Sequence, residues 1–216
     1  MKISIRKANL SDMDFIVEGI IRAEMSGSTV LPYTSLFDLN EDETKSLIHT
    51  VMDEEIEGQE WYLPNFTILE VDGINATCLS SWIEGETNIG SGVLKAQAMA
   101  WYLQDKWTQA SQKLDWLKTM QLPRIERALQ LECIYTQKQY RGMGLAALLI
   151  EYCIAEALSA VNPPKTAEIQ LLGNNESALR SYTKCGFLLR EEVSSPHPEI
   201  LNLLADQTRI SLTKTL

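Results

Sequence analysis

The chain has 216 residues, 45% of them hydrophobic and 22% charged, which is enough apolar material for a sizeable core and a length that favours one domain over two. A formal net charge of -10 argues against a protein whose main task is to hold nucleic acid, because that affinity comes from Lys and Arg neutralising phosphates. The acidic balance mildly favours cationic substrates, or serves solubility alone.

The N-terminal MKISIRKANLSDMDF lacks the apolar core of a signal peptide. No stretch reaches the roughly 18 uninterrupted apolar residues of a membrane helix, since the best candidate, 145–161, is broken by Glu151 and Glu156. The expectation is a cytoplasmic protein with no membrane and no nucleic-acid partner. Cys78, Cys133, Cys153 and Cys185 form no CxxC pair, so neither a zinc site nor a thioredoxin-type redox site is expected, and the thiols read as buried and reduced.

In chain order, 2–7 alternates apolar and polar as an opening strand, and Ser11 with Asp14 predicts the capping box of a helix carrying Phe15, Ile16, Ile20 and Ile21. Residues 26–40, with Gly27, Pro32 and several hydroxyls, read as a loop. Asn40 and Glu43 then cap a second helix running to about Gly58. Strands at 66–71 and 74–82 flank Asp72-Gly73, a strong hairpin signal. From Glu84 to Arg127 the pattern is helical, with Trp101, Trp107, Leu114, Trp116 and Leu117 giving one or two amphipathic helices before Pro123. Next come a strand at 129–136, a helix from Gly144 to about Ala160, a strand at 167–172 and a short helix at 175–184 closed by Gly186. Strands at 187–193 and 208–213 end the chain.

The stretch QYRGMGLAALL, 139–149, places Gly142 and Gly144 where a strongly helical run begins. A helix start leaves backbone N–H groups without partners and carries partial positive charge. Glycines there let the main chain approach a ligand closely and adopt the positive φ angles that fold N–H groups into an anion-binding nest. Arg141, just ahead, adds charge and donors. The helix behind is apolar on nearly every face, so it should be buried and hold the turn rigidly. Two other nucleotide motifs fit poorly. The spacing of the glycines is not that of a P-loop, and no Gly-Lys-Ser/Thr follows. Gly142-x-Gly144-x-x-Ala147 meets a loose dinucleotide fingerprint, but only about seventy residues follow and Glu168 stands near the start of the next strand, not its end.

The stretch LECIYTQKQYRGMGLAALLIEYCIAEAL resembles the cofactor-binding core of the acetyl-CoA-dependent N-acetyltransferase (GNAT) superfamily, with Arg141, Gly144 and Ala146 meeting its Arg/Gln-x-x-Gly-x-Gly/Ala turn. Downstream, Asn175-x-x-Ala178-x-x-x-Tyr182-x-x-x-Gly186-Phe187 is similar to the next helix and strand of that family. The element order resembles the family from end to end, except for the long helical insertion at 84–127 and Lys138, where many members carry proline. The resemblance implies an α+β fold: a mixed, mostly antiparallel central sheet of about seven strands flanked by helices, in a single domain spanning 1–216.

It also implies roles. The backbone of Arg141, Gly142, Met143, Gly144, Leu145 and Ala146 would bind the diphosphate of acetyl-CoA. Ile134, Tyr135 and Thr136 would pair with its pantetheine arm, and Asn175 would hydrogen-bond it. Tyr182 would protonate the departing thiolate as the amine attacks the thioester directly, with no metal. Chemistry is consistent with that role, since a tyrosine of pKa near 10 stays protonated at neutral pH yet can donate to a thiolate. Glu132 and Glu70 are candidates to collect the amine's proton. His49 and His197 lack the partners of a nucleophile triad. The acceptor, an unidentified small-molecule or peptide amine, would be chosen by 32–39, the helix after Asn40 and the Trp-rich segment 91–120. The insertion's tryptophans bury within the monomer or form a homodimer contact. The competing reading is a catalytically silent acyl-CoA-binding sensor on the same fold.

Overall fold

A computed structural model describes residues 1–216. The strands are β1 (Ile3–Lys7), β2 (Phe66–Val71), β3 (Ile74–Ile83), β4 (Leu129–Thr136), β5 (Thr166–Leu172), β6 (Leu188–Ser194) and β7 (Thr208–Thr215). They form one sheet in the order β1-β2-β3-β4-β5-β7-β6. Every neighbouring pair is antiparallel except β4 and β5, which run parallel and pair only at Leu129↔Ala167 and Gln130↔Glu168. Past those two pairs the strands part and the sheet opens into a fork.

Both faces of the sheet are covered, which is why β2 reads as an almost continuous apolar run. Its neighbours Ile68 and Leu69 point to opposite sides and are both fully buried, in two separate hydrophobic clusters. One cluster lies under α1 (Met13–Glu24), α2 (Pro32–Phe37), α3 (Glu41–Asp53), α4 (Ser91–Leu103) and the segments after it. The other lies under α7 (Leu145–Leu158) and α8 (Glu176–Lys184). The β2–β3 hairpin turns on Asp72 and Gly73 at φ 52° and 81°, the pair of positive values a two-residue type I′ turn requires.

Several local expectations are corrected. The N-terminal capping box belongs to Asn9 and Asp12, not Ser11 and Asp14. Asp12 is fixed there by Arg6, 2.6 Å away, and by Asn75 at 2.8 Å, so a partly buried ion pair decides where the helical segment begins. Residues 32–37, read as loop, form α2, because Pro32 pre-sets the first turn and Tyr33, Leu36 and Phe37 bury against the core. The box of Asn40 and Glu43 is present, but α3 stops at Asp53. Beyond it Glu55 and Gly58 take positive φ, and buried Gln59 turns back to donate to the Val51 carbonyl at 3.2 Å.

The insertion holds three helices, α4, α5 (Asp105–Gln109) and α6 (Ser111–Lys118), separated at Gln104 and Ala110. Its base is tied by Glu84, which accepts from Ser91 N at 3.0 Å and from Trp82 Nε1 at 3.0 Å. Helix α7 is not buried all round. Leu149, Ile150, Cys153 and Ile154 pack on the sheet, while Leu148, Tyr152 and Leu158 face outward because no further layer covers that side. All four cysteines are free thiols; Cys78, Cys133 and Cys153 are buried and Cys185 partly so.

Candidate active site

The fork is prepared by a bulge in β4. Cys133 and Ile134 have no partner in the β3 register, which jumps from Cys78↔Tyr135 to Ser80↔Glu132. Cys133 sits at φ 52°, a left-handed value that costs a non-glycine residue about 1–2 kcal/mol. Bulges re-aim the strand and leave its backbone unpaired, and here that happens where β5 has already moved away.

Beyond β4 the chain passes through a short 3-10 turn, Lys138–Tyr140, and reaches Gly142 at φ 79° and Gly144 at φ 75°. A Cβ on either glycine would meet nothing within 4 Å, so the requirement for glycine is conformational, and the space beside the turn is open. No amide from Gly142 to Ala147 donates to a protein acceptor; Leu148 is the first in the helix to do so, to Gly144 O at 3.1 Å. No acidic side chain lies in the first turn of α7 to compete for those donors. Buried Leu145 anchors the turn, exposed Met143 and half-buried Ala146 flank it, and Arg141 Nε holds the Thr136 carbonyl at 3.1 Å. The result is a concave set of main-chain donors on the positive end of a helix dipole, suited to an anion.

On the α1–α6 side of the fork lies a cavity of about 660 Å³. Of the residues singled out from sequence it brings together Ile134, Asn175, Tyr182 and Glu132. Tyr135 and Thr136 do not line it: the Tyr135 ring packs 5.9 Å from Phe15, and Thr136 Oγ1 lies 3.1 Å from Thr77 Oγ1. Asn175 caps α8, accepting from Ala178 N at 3.2 Å through Oδ1. Its amide nitrogen is left for other partners.

Tyr182 is 8% exposed, and its hydroxyl has no hydrogen-bond partner in the protein. Burial, followed by the charges of Glu132, Cys185 and Cys133, pushes its pKa well above the usual tyrosine value, so it stays protonated through neutral pH. Glu132 is shifted upward by burial although Arg124 NH1 sits 2.8 Å from its carboxylate. Glu70 is remote from the cavity, held by Arg6 at 2.7 Å and Ser4 at 2.9 Å, and those contacts lower its pKa, which removes it as a base. His49 lies beside Asp53 at 3.2 Å, and His197 packs 6.4 Å from Trp116; neither reaches the cavity.

Further charged groups that sequence patterns did not reveal line the cavity, among them Glu24, Glu60, Lys95, Arg124 and Arg209. Glu60 is buried between Lys95 and Arg124; burial works to raise its pKa and the two cations outweigh it, so the carboxylate is held below its ordinary value. Glu24, the last residue of α1, accepts from Tyr33 Oη at 2.9 Å and has no cationic partner. It lines the same cavity as Cys133 and Ile134 of the bulge, and its charge, after burial and Glu60, helps push the Cys133 thiol up. Arg209, on β7 opposite Leu172, has a solvent-shielded Nε with no hydrogen-bond partner. No motif spacing joins these residues, because each comes from a different element. Helices α2 and α4–α6 supply walls through Tyr33, Phe37, Met99, Trp107 and Leu114, whereas α3, expected to help select the substrate, contributes none.

A family model described as an acetyltransferase (GNAT) domain matches residues 89–188. The fold is similar to that of an N-acetyltransferase from Staphylococcus aureus Mu50, with a TM-score of 0.67 at 18% identity over 98% of this chain and 100% of the other. A GNAT-family acetyltransferase from Streptococcus agalactiae 2603 superimposes with a TM-score of 0.55 at 17% identity, covering 99% of this chain and 95% of the other. A chimeric spermidine N-acetyltransferase derived in part from Vibrio cholerae gives 0.55 at 13% identity, covering 100% and 96%. No functionally curated protein matches the chain in sequence.

Proposed function

We propose that the chain, which a GNAT acetyltransferase family model matches over residues 89–188, transfers the acetyl group of acetyl-CoA to a primary amine by direct attack within a ternary complex. The observation that carries this reading is the run of amides from Gly142 to Ala147 that no protein acceptor satisfies, beside open space at both glycines. A diphosphate supplies the oxygens those donors lack, and Arg141 adds positive charge at the rim. From that seat the pantetheine arm follows β4 past Thr136, Tyr135 and Ile134 into the fork, where the strand has no β5 partner and Asn175 presents a free amide nitrogen. The strands that build the seat and the chamber run from residue 3 to 215, so the whole chain acts as the catalytic unit.

Acetyl-CoA brings an activated carbonyl; the protein arranges the two proton transfers around it. The nitrogen lone pair forms the new C–N bond, the C–S bond breaks, and the sulfur takes the Tyr182 hydroxyl proton. Burial raises the Tyr182 pKa, but it also raises that of a thiol in the same wall, as Cys133 shows, so donor and acceptor remain matched in the dry site. The ammonium first loses one proton to Glu24, the cavity carboxylate without an ion-pair contact, and the second N–H proton, released from nitrogen as the amide forms, restores the Tyr182 hydroxyl. Glu132 is engaged by Arg124 and serves to hold the wall.

Release of coenzyme A thiol, followed with purified protein, acetyl-CoA and a panel of spermidine, amino acids, short peptides and simple amines, tests the proposal. Turnover is expected with at least one acceptor and should fall roughly a hundredfold or more in Tyr182→Phe. Undiminished turnover in Tyr182→Phe overturns the acid role. Tight coenzyme A binding with no turnover across the panel favours the silent sensor.

A further inference from the structure

The acidic and basic groups lining the cavity are equal in number, but not all of them pair. Glu60 is ion-paired with Lys95 and Arg124, and Glu132 with Arg124, while the charge of Arg209 reaches both carboxylates and that of Glu24 reaches Lys95 without any direct contact. Two groups are left over. Glu24 is a carboxylate whose single hydrogen bond comes from the neutral Tyr33 hydroxyl. Arg209 is a guanidinium whose Nε is shielded from water and unbonded, at the end of the cavity formed by β5 and β7. A buried polar donor without a partner is costly, so the shielded Nε of this partly buried guanidinium, facing a cavity, is a donor that a bound anion would satisfy. Arg is also the side chain best shaped to take a carboxylate through two parallel N–H donors.

We infer that the acceptor is a zwitterion of the amino-acid type, its amine directed to Glu24 beside the β4 bulge and its carboxylate bound by Arg209. This deepens the acetyltransferase reading and rests on it. A purely cationic acceptor would satisfy Glu24 and leave Arg209 both unpaired and repelled, whereas a molecule with both charges completes both groups at once. The cavity, about 660 Å³ and walled by Tyr33, Trp107 and Leu114, has room for an apolar or aromatic side chain between the two poles. The net charge of -10 therefore describes the surface of the molecule and not the acceptor's sign.

Matched pairs decide this: lysine against cadaverine, ornithine against putrescine, phenylalanine against phenethylamine and methionine against 3-(methylthio)propylamine, each as acceptor in the thiol-release assay. In the wild type, kcat/KM for the carboxylated member should exceed that of its decarboxylated partner by roughly ten- to a hundredfold, the worth of a hydrogen bond to a charged group. In Arg209→Gln that ratio should collapse toward one, with the loss entering through KM of the carboxylated acceptor, and Arg209→Lys should restore part of it. Equal or better use of the decarboxylated members by the wild type overturns the inference, as does an Arg209→Gln variant that loses both members equally. Where no acceptor turns over, the transfer reaction fails separately, and thermal shift of the coenzyme A-bound protein reads the site directly. An amino acid that raises the melting temperature of the wild type but not of Arg209→Gln upholds the carboxylate site, and no shift with any of the four refutes it. Alkyl phosphonates or sulfonates binding in place of the amino acids would likewise overturn the carboxylate assignment.

Discussion

Glu168 controls where the fork begins, and replacing it with glutamine tests that control. Its carboxylate is fully buried and accepts from Gln130 Nε2 at 2.9 Å, Ile125 N at 2.8 Å, Ser211 Oγ at 2.7 Å and Arg190 NH1 at 2.9 Å. Gln130↔Glu168 is also the last pair in the β4–β5 ladder, so this one side chain joins β4, β5, β6 and β7 at the point where two of them separate. Breaking one member of a buried ion pair costs about 3–5 kcal/mol. Glutamine keeps one acceptor oxygen and Arg190 is 28% exposed and can rehydrate, so the lower end, about 3 kcal/mol, is expected for Glu168→Gln. In a chain of this length that lowers the melting temperature by about 6–12 °C.

Urea unfolding and calorimetry of both proteins measure the difference, and a loss below about 1 kcal/mol would refute the clamp. The pH dependence supplies a second check. Burial works to raise the Glu168 pKa, but bonds from Ser211, Ile125 and Gln130 outweigh it and the folded value lies below the ordinary 4.5. A depressed pKa means the contribution is complete above the unfolded value and is lost as pH falls through the folded one. The gap between wild type and Glu168→Gln should therefore be constant near neutrality and close on acidification below about 4.5.

Two further substitutions probe the seat and the packing behind it. Gly144→Glu puts a side chain at φ 75° and a negative charge into the open space beside the turn; it should cost about 1–2 kcal/mol of stability and abolish the thermal stabilisation given by saturating coenzyme A, and unchanged affinity in the folded variant would sink the diphosphate seat. Gly19→Ala places a Cβ 2.6 Å from Cys78 Sγ and 3.4 Å from Tyr135 Cβ, where α1 crosses the sheet. The overpacking should destabilise by about 1–3 kcal/mol despite alanine's better helix propensity. Cys78→Ala in the same chain should relieve it, and a double mutant no better than the sum of the singles would show that the contact is not the cause.

Much of the architecture was readable because it is written in local periodicity. β4 is found at the predicted bounds, Leu129–Thr136, and Asp72-Gly73 turns the hairpin as its residue types require. The run of unpaired amides from Gly142 to Ala147 was legible for the same reason: the donors are consecutive in the chain and their geometry follows from two glycines ahead of a helix. What escaped is what tertiary contacts decide. The capping box moved to Asn9 and Asp12, on the 3-10 turn that leads into α1, because Arg6 captures Asp12, a contact no local rule contains. Helix α2 forms in a stretch of hydroxyls and proline because three of its side chains find the core. Helix α7 looked buried because its composition is apolar, although its weak amphipathicity could not show that one side has no neighbour. The charged groups of the cavity were invisible because Glu24, Glu60, Lys95, Arg124 and Arg209 become neighbours only when the sheet is assembled.

The parting of β4 and β5 divides the protein into two kinds of construction. The glycine turn, the proposed seat of the nucleotide, depends on main-chain atoms of one short uninterrupted stretch, where side chains matter mostly by being small. The cavity, the proposed acceptor site, is a mosaic of side chains drawn from separate segments, many of them in the long excursion between β3 and β4. Under the proposed function, recognition of the donor is thereby insulated from recognition of the acceptor: walls can be exchanged on one side of the cleft while the turn that would grip the nucleotide is left as it was, which makes this framework a practical starting point for directing acyl transfer to chosen amines.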